Sequence, residues 1–193
     1  MEEKLEKLYK ECIEELKTLN IDITNNDLIG SIDIKIAKRN SKRYGCCKQE
    51  NPDKNYYHII KRKNRKIKVY DKFNKHHIEI SKWLMELNED IIKNTIIHEI
   101  IHCFPKCNNH GMEFKKYANY INQKLGYNIT TYGNKKEDYE KSNIEFKEET
   151  DNYKYKIVCN ACNQTFLRQR LKKNFAKIYK CGKCGGRFEV VKV

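Results

Sequence analysis

Apolar and charged positions alternate with a helical period at the start of the chain. Apolar residues recur at spacings of three and four in residues 2–19, with Glu and Lys between them: Leu5, Leu8, Cys12, Leu16 and Leu19. This pattern predicts an amphipathic helix. We expect its apolar face to cover one side of a domain core, with partner binding as the alternative.

The pattern changes to a period of two between residues 32 and 80, which predicts short strands. The alternating apolar positions are Ile32, Ile34 and Ile36, then Tyr57 and Ile59, then Ile67 and Val69, then Ile78 and Ile80. Polar breaks at 40–41, 51–53 and 74–75 supply turns and favour an antiparallel meander. Cys46 and Cys47 fit as small residues in a strand. We expect His76 and His77 at the surface, and exclude them as a metal pair because strand neighbours face opposite sides.

A second helical segment, from about residue 89 to 104, is apolar on most of its surface and is therefore predicted to be buried. Asn88 suits the N-cap, and Glu89 and Asp90 complement the helix dipole in the first turn. Pro105 cannot continue the helix, and a polar loop follows. A further helix is predicted from about residue 110 to Gly126.

The buried segment carries the motif His98-Glu99-x-x-His102. On a helix, residues four apart project from one face, so the two histidines can share a metal while Glu99 lies beside it as a general base. A catalytic zinc takes three protein ligands and leaves one position for water, and His110 is the best third donor. Glu113 is the alternative to His110. A chance motif is disfavoured because unpaired histidines would be costly in an apolar helix.

A second metal motif lies near the C-terminus, where four cysteines form two C-x-x-C pairs 18 residues apart: Cys159, Cys162, Cys181 and Cys184. This spacing is typical of a zinc ribbon, in which four thiolates close the coordination sphere and the zinc is structural. We predict a zinc-ribbon module over residues 153–193. The charged stretch 133–152 is predicted to be a polar linker after a domain of residues 1–132. Cys103 and Cys107 lie near the histidines but are not predicted as ligands.

The formal net charge is +14, and it is concentrated in two segments. Residues 30–75 hold 15 Lys and Arg against 4 Asp and Glu, and residues 151–193 hold 11 against 2. Such segments favour contact with a polyanion, although a solvated surface is the alternative. Exposed contacts to DNA are predicted for six cations of the ribbon module: Arg168, Arg170, Lys172, Lys173, Lys177 and Lys180. The interleaved aromatics fit a small core better than a base-stacking surface.

No apolar run is long enough to span a bilayer, and residues 1–16 lack the features of a signal peptide. Nine cysteines, four of them in metal spacing, fit reduced thiols better than a disulfide framework. We therefore expect a cytoplasmic protein without membrane contact. The oligomeric state is left open.

The motifs together resemble those of the SprT-like zinc metallopeptidases, a family whose relatives include a DNA-dependent protease. The resemblance rests on the histidine motif, on His110-Gly111-x-x-Phe114, on an Arg43-Tyr44-Gly45-x-Cys47 element and on the cysteine pairs. It implies an α+β fold with a zincin-like metallopeptidase domain, whose helices pack on a small antiparallel sheet, and a C-terminal zinc ribbon held by four cysteines. It also implies zinc at His98, His102 and His110, catalysis by Glu99, and DNA binding.

The function expected from these observations is hydrolysis of peptide bonds by a zinc-dependent metallopeptidase that acts on proteins bound or crosslinked to DNA. Two zinc ions are expected, one catalytic and one structural. Tyr44 and Tyr117 are candidates for stabilising the oxyanion. The alternative is a non-catalytic adaptor that binds nucleic acid and uses both zinc ions for stability.

Overall fold

The computed structural model describes residues 1–24, 26–38, 42–146 and 153–193, and the chain divides into two compact units, Met1–Phe146 and Lys147–Val193. The helices of the first unit are α1 (Glu2–Thr18), α2 (Glu89–Ile101), α3 (Met112–Leu125) and α4 (Lys135–Lys141). Its strands are β1 (Ser31–Ala37), β2 (Gly45–Pro52), β3 (Tyr57–Arg62), β4 (Arg65–Tyr70) and β5 (Phe73–Ser81). A 3-10 helix, Lys82–Glu86, joins β5 to α2.

The main sheet of this unit has three strands in the order β1-β5-β2. Strand β1 runs parallel to β5, whereas β2 is antiparallel to it, and β3 and β4 pair separately as a hairpin. The predicted antiparallel meander is therefore wrong, and the small sheet is mixed. The long connection from β1 to β5 contains β2, β3 and β4, which gives the chain enough length to return to the same end and make a parallel pair.

The core of the unit lies between this sheet and the helices. Helix α1 buries the predicted apolar stripe, and α2 is buried on most of its surface, as its sequence predicts. Phe114, Ala118 and Ile121 of α3 join the same cluster, as do Ile78 and Ile80 of β5. The motif-bearing helix is thus held by apolar contacts on several sides, which gives its few polar side chains fixed positions.

Two details of the core differ from expectation. His76 is fully buried rather than at the surface, and its Nδ1 lies 2.7 Å from the carbonyl of Ile29. Its position on the central strand β5 places it under the chain segment that enters β1. Asn88 is the N-cap residue of α2 but its side chain does not cap the helix; it donates instead to the Lys141 carbonyl at 2.8 Å.

Residues 133–146, predicted as linker, belong to the first unit. They contain α4, which Asn134 caps by accepting from the Glu137 backbone N–H. Tyr139 stacks on Trp83 with ring centroids 5.9 Å apart, and the Tyr44 hydroxyl donates to Asp138 at 2.6 Å. A small number of specific contacts therefore fix this short, charged helix against the rest of the first unit. The rest of the predicted linker, residues 147–152, lies outside the described residues.

The second unit contains a three-stranded antiparallel sheet in the order β7-β6-β8. Its elements are β6 (Tyr155–Cys159), β7 (Thr165–Arg168), the short helix α5 (Phe175–Ile178) and β8 (Phe188–Lys192). Phe188 contacts Phe166 and Phe175 at centroid distances of 6.0 and 5.8 Å, so these aromatics form a small cluster, as expected. Among the residues described in either unit, no helix has the length and apolar character needed to cross a bilayer.

Candidate metal centre and catalytic site

Three histidine side chains converge at the end of α2. His98 lies on the last turn of α2, His102 caps that helix in a helical conformation, and His110 lies on the loop before α3. Their Nε2 atoms are 3.2 Å apart for His98 and His102, 3.2 Å for His102 and His110, and 3.0 Å for His110 and His98. The predicted loop after Pro105 thus brings the third histidine back to the motif.

The opposite ring nitrogens of two of these histidines contact backbone carbonyls. Nδ1 of His98 lies 3.0 Å from the Thr130 carbonyl, and Nδ1 of His102 lies 2.6 Å from the Cys107 carbonyl. A ring N–H donated to each carbonyl leaves the lone pair of Nε2 facing the centre of the triad, which is the tautomer that a metal ligand needs.

The electrostatic surroundings keep the three rings neutral. Burial, and then the neighbouring rings of His102 and His110, lower the pKa of His98 to about 3. Burial also lowers the pKa of His102 and that of His110 below the ordinary value. Neutral imidazole is the form that binds a metal ion.

The triad fits a zinc ion. With Zn–N bonds of about 2.0–2.1 Å, two ligands of a tetrahedral site are about 3.3 Å apart. The observed separations of 3.0–3.2 Å are close to this value. The histidines therefore form a group that could hold a metal ion, with room for a further ligand.

The ring of Phe114 packs against all three histidines. This side chain is fully buried, and its ring centroid lies 4.8 Å from that of His98, 4.7 Å from His102 and 4.9 Å from His110. One rigid ring therefore restricts the orientation of all three imidazoles. Phe114 is in the first turns of α3, so the same helix that follows His110 also places this ring.

Glu99 lies beside the triad and is only 6 % exposed. Burial raises the pKa of its carboxyl group to about 8, opposed by a hydrogen bond from the Cys47 backbone and by the charge of Arg43. A divalent cation on the neighbouring histidines would lower this pKa again, toward the range in which a carboxylate exchanges protons near neutral pH. The carboxylate is thus shielded from solvent and lies next to the three histidines that could hold a metal ion.

Strand β2 approaches this carboxylate closely at Gly45. A Cβ atom at Gly45 would lie 2.7 Å from Oε1 of Glu99 and 2.8 Å from its Cγ, which is shorter than side chains tolerate. Glycine is therefore required here for space. The sequence contains Tyr44-Gly45, but nothing local indicates which side chain needs the gap.

Two clefts meet at these residues, with volumes of about 580 Å³ and about 310 Å³. Both are lined by Arg43, Gly45, His98, Glu99 and His110. The larger extends along residues 128–134 and α4, and the smaller along β2. A chain lying through both clefts would pass directly over Glu99.

The other residues considered from the sequence have different positions. The thiol of Cys103 is buried and lies 3.5 Å from that of Cys47, and Cys107 contributes its carbonyl rather than its thiol. Glu113 pairs with Lys116 at 2.8 Å. Two groups of side chains among the described residues could hold a metal ion, and neither contains Cys103, Cys107 or Glu113.

The two tyrosines proposed for the oxyanion also differ. Tyr44 lines the larger cleft, and its hydroxyl donates to Asp138. Tyr117 stacks on Phe104 with centroids 4.8 Å apart and is not among the described residues that line either cleft. Tyr44 is thus the better placed of the two, although its donor is already engaged.

The second unit holds another metal-competent group, formed by the four predicted cysteines, whose Sγ atoms all lie within 4.8 Å of one another. The separations are 3.4 Å between Cys159 and Cys184 and 3.7 Å between Cys162 and Cys181. In a tetrahedral site with Zn–S bonds of about 2.3 Å, sulfur atoms are about 3.8 Å apart. A Cβ at Gly186 would lie 2.9 Å from Sγ of Cys159, so the backbone wraps tightly around the cluster.

Backbone N–H groups favour the thiolate form of Cys159 and Cys181, whereas the neighbouring thiols raise the pKa of Cys184. Although burial raises it, hydrogen bonds from the backbones of Ala161 and Cys162 lower the pKa of Cys159 to about 6. Backbone hydrogen bonds from Cys184 and Lys183 lower the pKa of Cys181. The deprotonated form is the metal ligand, and no fifth donor is needed.

The six cations predicted to contact DNA are all exposed. Arg168 ends β7, Lys177 lies in α5, and the others occupy the connecting segments. They therefore remain accessible on the second unit, while Phe166 and Phe175 pack in the small aromatic cluster.

The chain is thus a mixed α+β protein with a tri-histidine group and a four-cysteine group that could each hold a metal ion. The sequence model of the SprT-like family matches residues 11–133, which is more than half of the chain. The chain belongs to the SprT-like family. A search of curated proteins found no match.

Proposed function

We propose that this protein is a zinc-dependent metalloendopeptidase. The observation that carries the proposal is the convergence of three Nε2 atoms within 3.0–3.2 Å beside a carboxylate that is only 6 % exposed. Family membership supports a metallopeptidase-like role. On this proposal the first unit is a zincin-like domain, with His98, His102 and His110 as the ligands of the catalytic zinc.

A zinc ion on these ligands would polarise the scissile carbonyl and acidify an attacking water. Glu99 removes a proton from that water and then delivers it to the departing amine, so the proton passes from one substrate to the other through one carboxylate. Burial of Glu99 keeps bulk water from competing for this proton. The carbonyls of Thr130 and Cys107 keep the imidazole rings oriented throughout.

The clefts favour an extended polypeptide as the substrate. Strand β2 lies at an edge of the three-stranded sheet, and Cys46, Cys47 and Gln49 line the smaller cleft. An extended chain can add to such an edge through backbone hydrogen bonds, which requires little of its side chains. We therefore propose that protein substrates are cleaved with broad sequence tolerance.

We further propose that the substrates are proteins bound or crosslinked to DNA. The four cysteines would hold a structural zinc in a zinc ribbon, whose net charge is carried by exposed Lys and Arg. The six predicted cations would contact phosphates without reading bases. The cytoplasmic location stays a prediction.

The test replaces Glu99 by Gln, which removes the base and keeps the size of the side chain. Glu99→Gln is expected to retain two zinc equivalents, by metal analysis, and to lose cleavage of casein and of a protein crosslinked to DNA. Glu140→Gln, an exposed position on α4, is the matched control and should cleave normally.

Two results would contradict the proposal. The first is a Glu99→Gln protein that cleaves as fast as the wild type. The second is a wild-type protein with full zinc content that binds DNA but cleaves neither substrate, which is the behaviour of the non-catalytic adaptor.

A further inference from the structure

The hairpin formed by β3 and β4, residues 57–70, is the most cationic part of the first unit. It holds six cations and no acidic residue: Lys61, Arg62, Lys63, Arg65, Lys66 and Lys68. All six are exposed. None of the six lies in an ion pair within the described part of the chain, whereas Lys4, Lys93 and Lys116, for example, do.

The hairpin follows the β2–β5 pair in the chain and is joined to it by a short connection on each strand. The β2–β5 pairing ends at Pro52 and Phe73, a backbone hydrogen bond joins Asp53 to Lys72, and the β3–β4 pairing begins at Tyr57 and Tyr70. The base is fixed further by His58, whose Nδ1 lies 2.7 Å from Asp71. The hairpin is therefore fixed where it joins β2 and β5. Neither of its two strands carries an acidic residue.

The cations lie on both faces and at the tip. Directly paired residues share a face, so Lys61 and Lys66 are on one side while Arg62 and Arg65 are on the other. Lys63 occupies the turn with φ of 45°, a left-handed conformation that usually selects Asn or Gly. A charged residue is thus present at the tip in spite of its backbone preference.

Apolar and aromatic side chains are exposed between the cations. Tyr57 is 40 % exposed and Ile59 is 55 % exposed, and the Lys68 ammonium lies 4.2 Å from the Tyr57 ring centroid. An element that lies in a membrane surface separates its apolar face from its cationic face. In this hairpin both kinds of residue occur on the same faces, which favours a polyanion with apolar edges over a lipid surface.

We propose that this hairpin is a docking element for duplex DNA, inserted as a two-stranded ribbon into the major groove. Six residues per strand give a length of about 20 Å. The major groove, about 12 Å wide and about 8.5 Å deep, admits such a ribbon, with phosphates on both sides to meet the cations of both faces. This inference rests on the proposed function and assigns a specific element and a binding geometry within the basic segment 30–75.

The test uses the full, zinc-loaded chain and a duplex of about 20 base pairs, which spans two helical turns. The variant is Arg62→Gln with Arg65→Gln and Lys66→Gln. The control with the same loss of charge is Lys10→Gln with Lys82→Gln and Lys124→Gln, all exposed positions outside the hairpin. Fluorescence anisotropy gives the affinity for the duplex across salt concentrations of about 50 to 200 mM.

If the three cations contact phosphates, the hairpin variant loses at least about tenfold in duplex affinity at low salt, and the slope of log affinity against log salt falls by about 3. The control keeps the wild-type slope. Equal effects of the two triple variants would overturn the proposal, since only net charge would then matter. Loss of binding to phosphatidylserine vesicles with unchanged duplex binding would overturn it in favour of a membrane surface.

A single substitution protects the test against misfolding. Lys63→Asn removes the tip charge and suits the left-handed turn, so it should weaken duplex binding without lowering thermal stability. Unchanged duplex affinity in this variant and in the triple variant would overturn the proposal. Casein cleavage separates the two proposals: it should be normal in all hairpin variants, and its absence in the wild type contradicts the peptidase rather than the hairpin.

Discussion

Replacing Gly45 by Ala should displace the carboxylate of Glu99, the proposed general base, while leaving the three histidines in place. The added Cβ would lie 2.7 Å from Oε1 of Glu99, and ordinary contacts begin near 3.4 Å. Relief of this clash moves the carboxylate or β2 by about 0.7 Å, and a misplacement of about 1 Å can cost about 100-fold in rate. We expect kcat/KM for casein to fall by about 10- to 100-fold.

The cost in stability should be moderate, because inserting a methyl group into a packed site typically costs about 1–3 kcal/mol. The zinc content should remain at two equivalents, since the three atoms nearest to the added Cβ all belong to Glu99. Gly182→Ala is the matched control: a Cβ there meets nothing within 4 Å, so activity and stability should not change.

A double-mutant cycle tests the steric reasoning directly. Glu99→Ala removes the Oε1, Cγ and Cδ atoms that the new Cβ would meet, so the cost of Gly45→Ala in free energy of unfolding should be smaller in the Glu99→Ala background than in the wild type. Additive effects would refute the clash. A Gly45→Ala protein with wild-type kcat/KM would refute the placement of Glu99 against β2.

Three further predictions concern the first unit. Alanine at any one histidine of the triad should remove about one zinc equivalent and leave the cysteine-bound zinc, as measured by metal analysis of three variants: His98→Ala, His102→Ala and His110→Ala. Phe114→Ala should lower the free energy of unfolding by about 3–5 kcal/mol and weaken zinc binding, whereas Phe114→Leu should do less, in urea titrations. Burial lowers the pKa of His76 in the folded state, so the unfolded chain binds its proton more tightly and stability falls as pH drops below about 6.5. His76→Gln should reduce the loss of stability between about pH 7.5 and about pH 5.5, and an unchanged loss would contradict this assignment.

The elements that follow from local sequence agree closely with the structure. Helix α2 is expected from about residue 89 to 104 and spans Glu89–Ile101, with His102 continuing in helical conformation. Spacing alone puts His98 and His102 on one face, because four residues complete about one turn. The return of His110 needs only a proline and a short polar loop, which are also local signals.

The supports of the site come from residues distant in sequence, and local patterns could not indicate them. Thr130 is 32 positions from His98, and its carbonyl acts through the backbone, so no side-chain type marks it. The gap at Gly45 depends on how β2 lies against α2. The predicted order of the sheet failed for the same reason, since period-two patterns predict strands but carry no information on which strands pair.

The predicted linker shows how composition can hide an anchored helix. Residues 133–146 have few apolar side chains because α4 buries none of its side chains fully. Their composition is therefore similar to that of an unstructured segment. What holds α4 is a small number of specific contacts: Asp138 accepts from Tyr44, Tyr139 stacks on Trp83, and Lys141 and Ser142 bond to Asn88. Because residues of α4 also line the larger cleft, these contacts couple a charged helix to the site. A polar helix that lines a cleft has charged residues on its exposed face and needs only a few contacting side chains on the face toward the protein. A composition of this kind is also the one by which linkers are recognised.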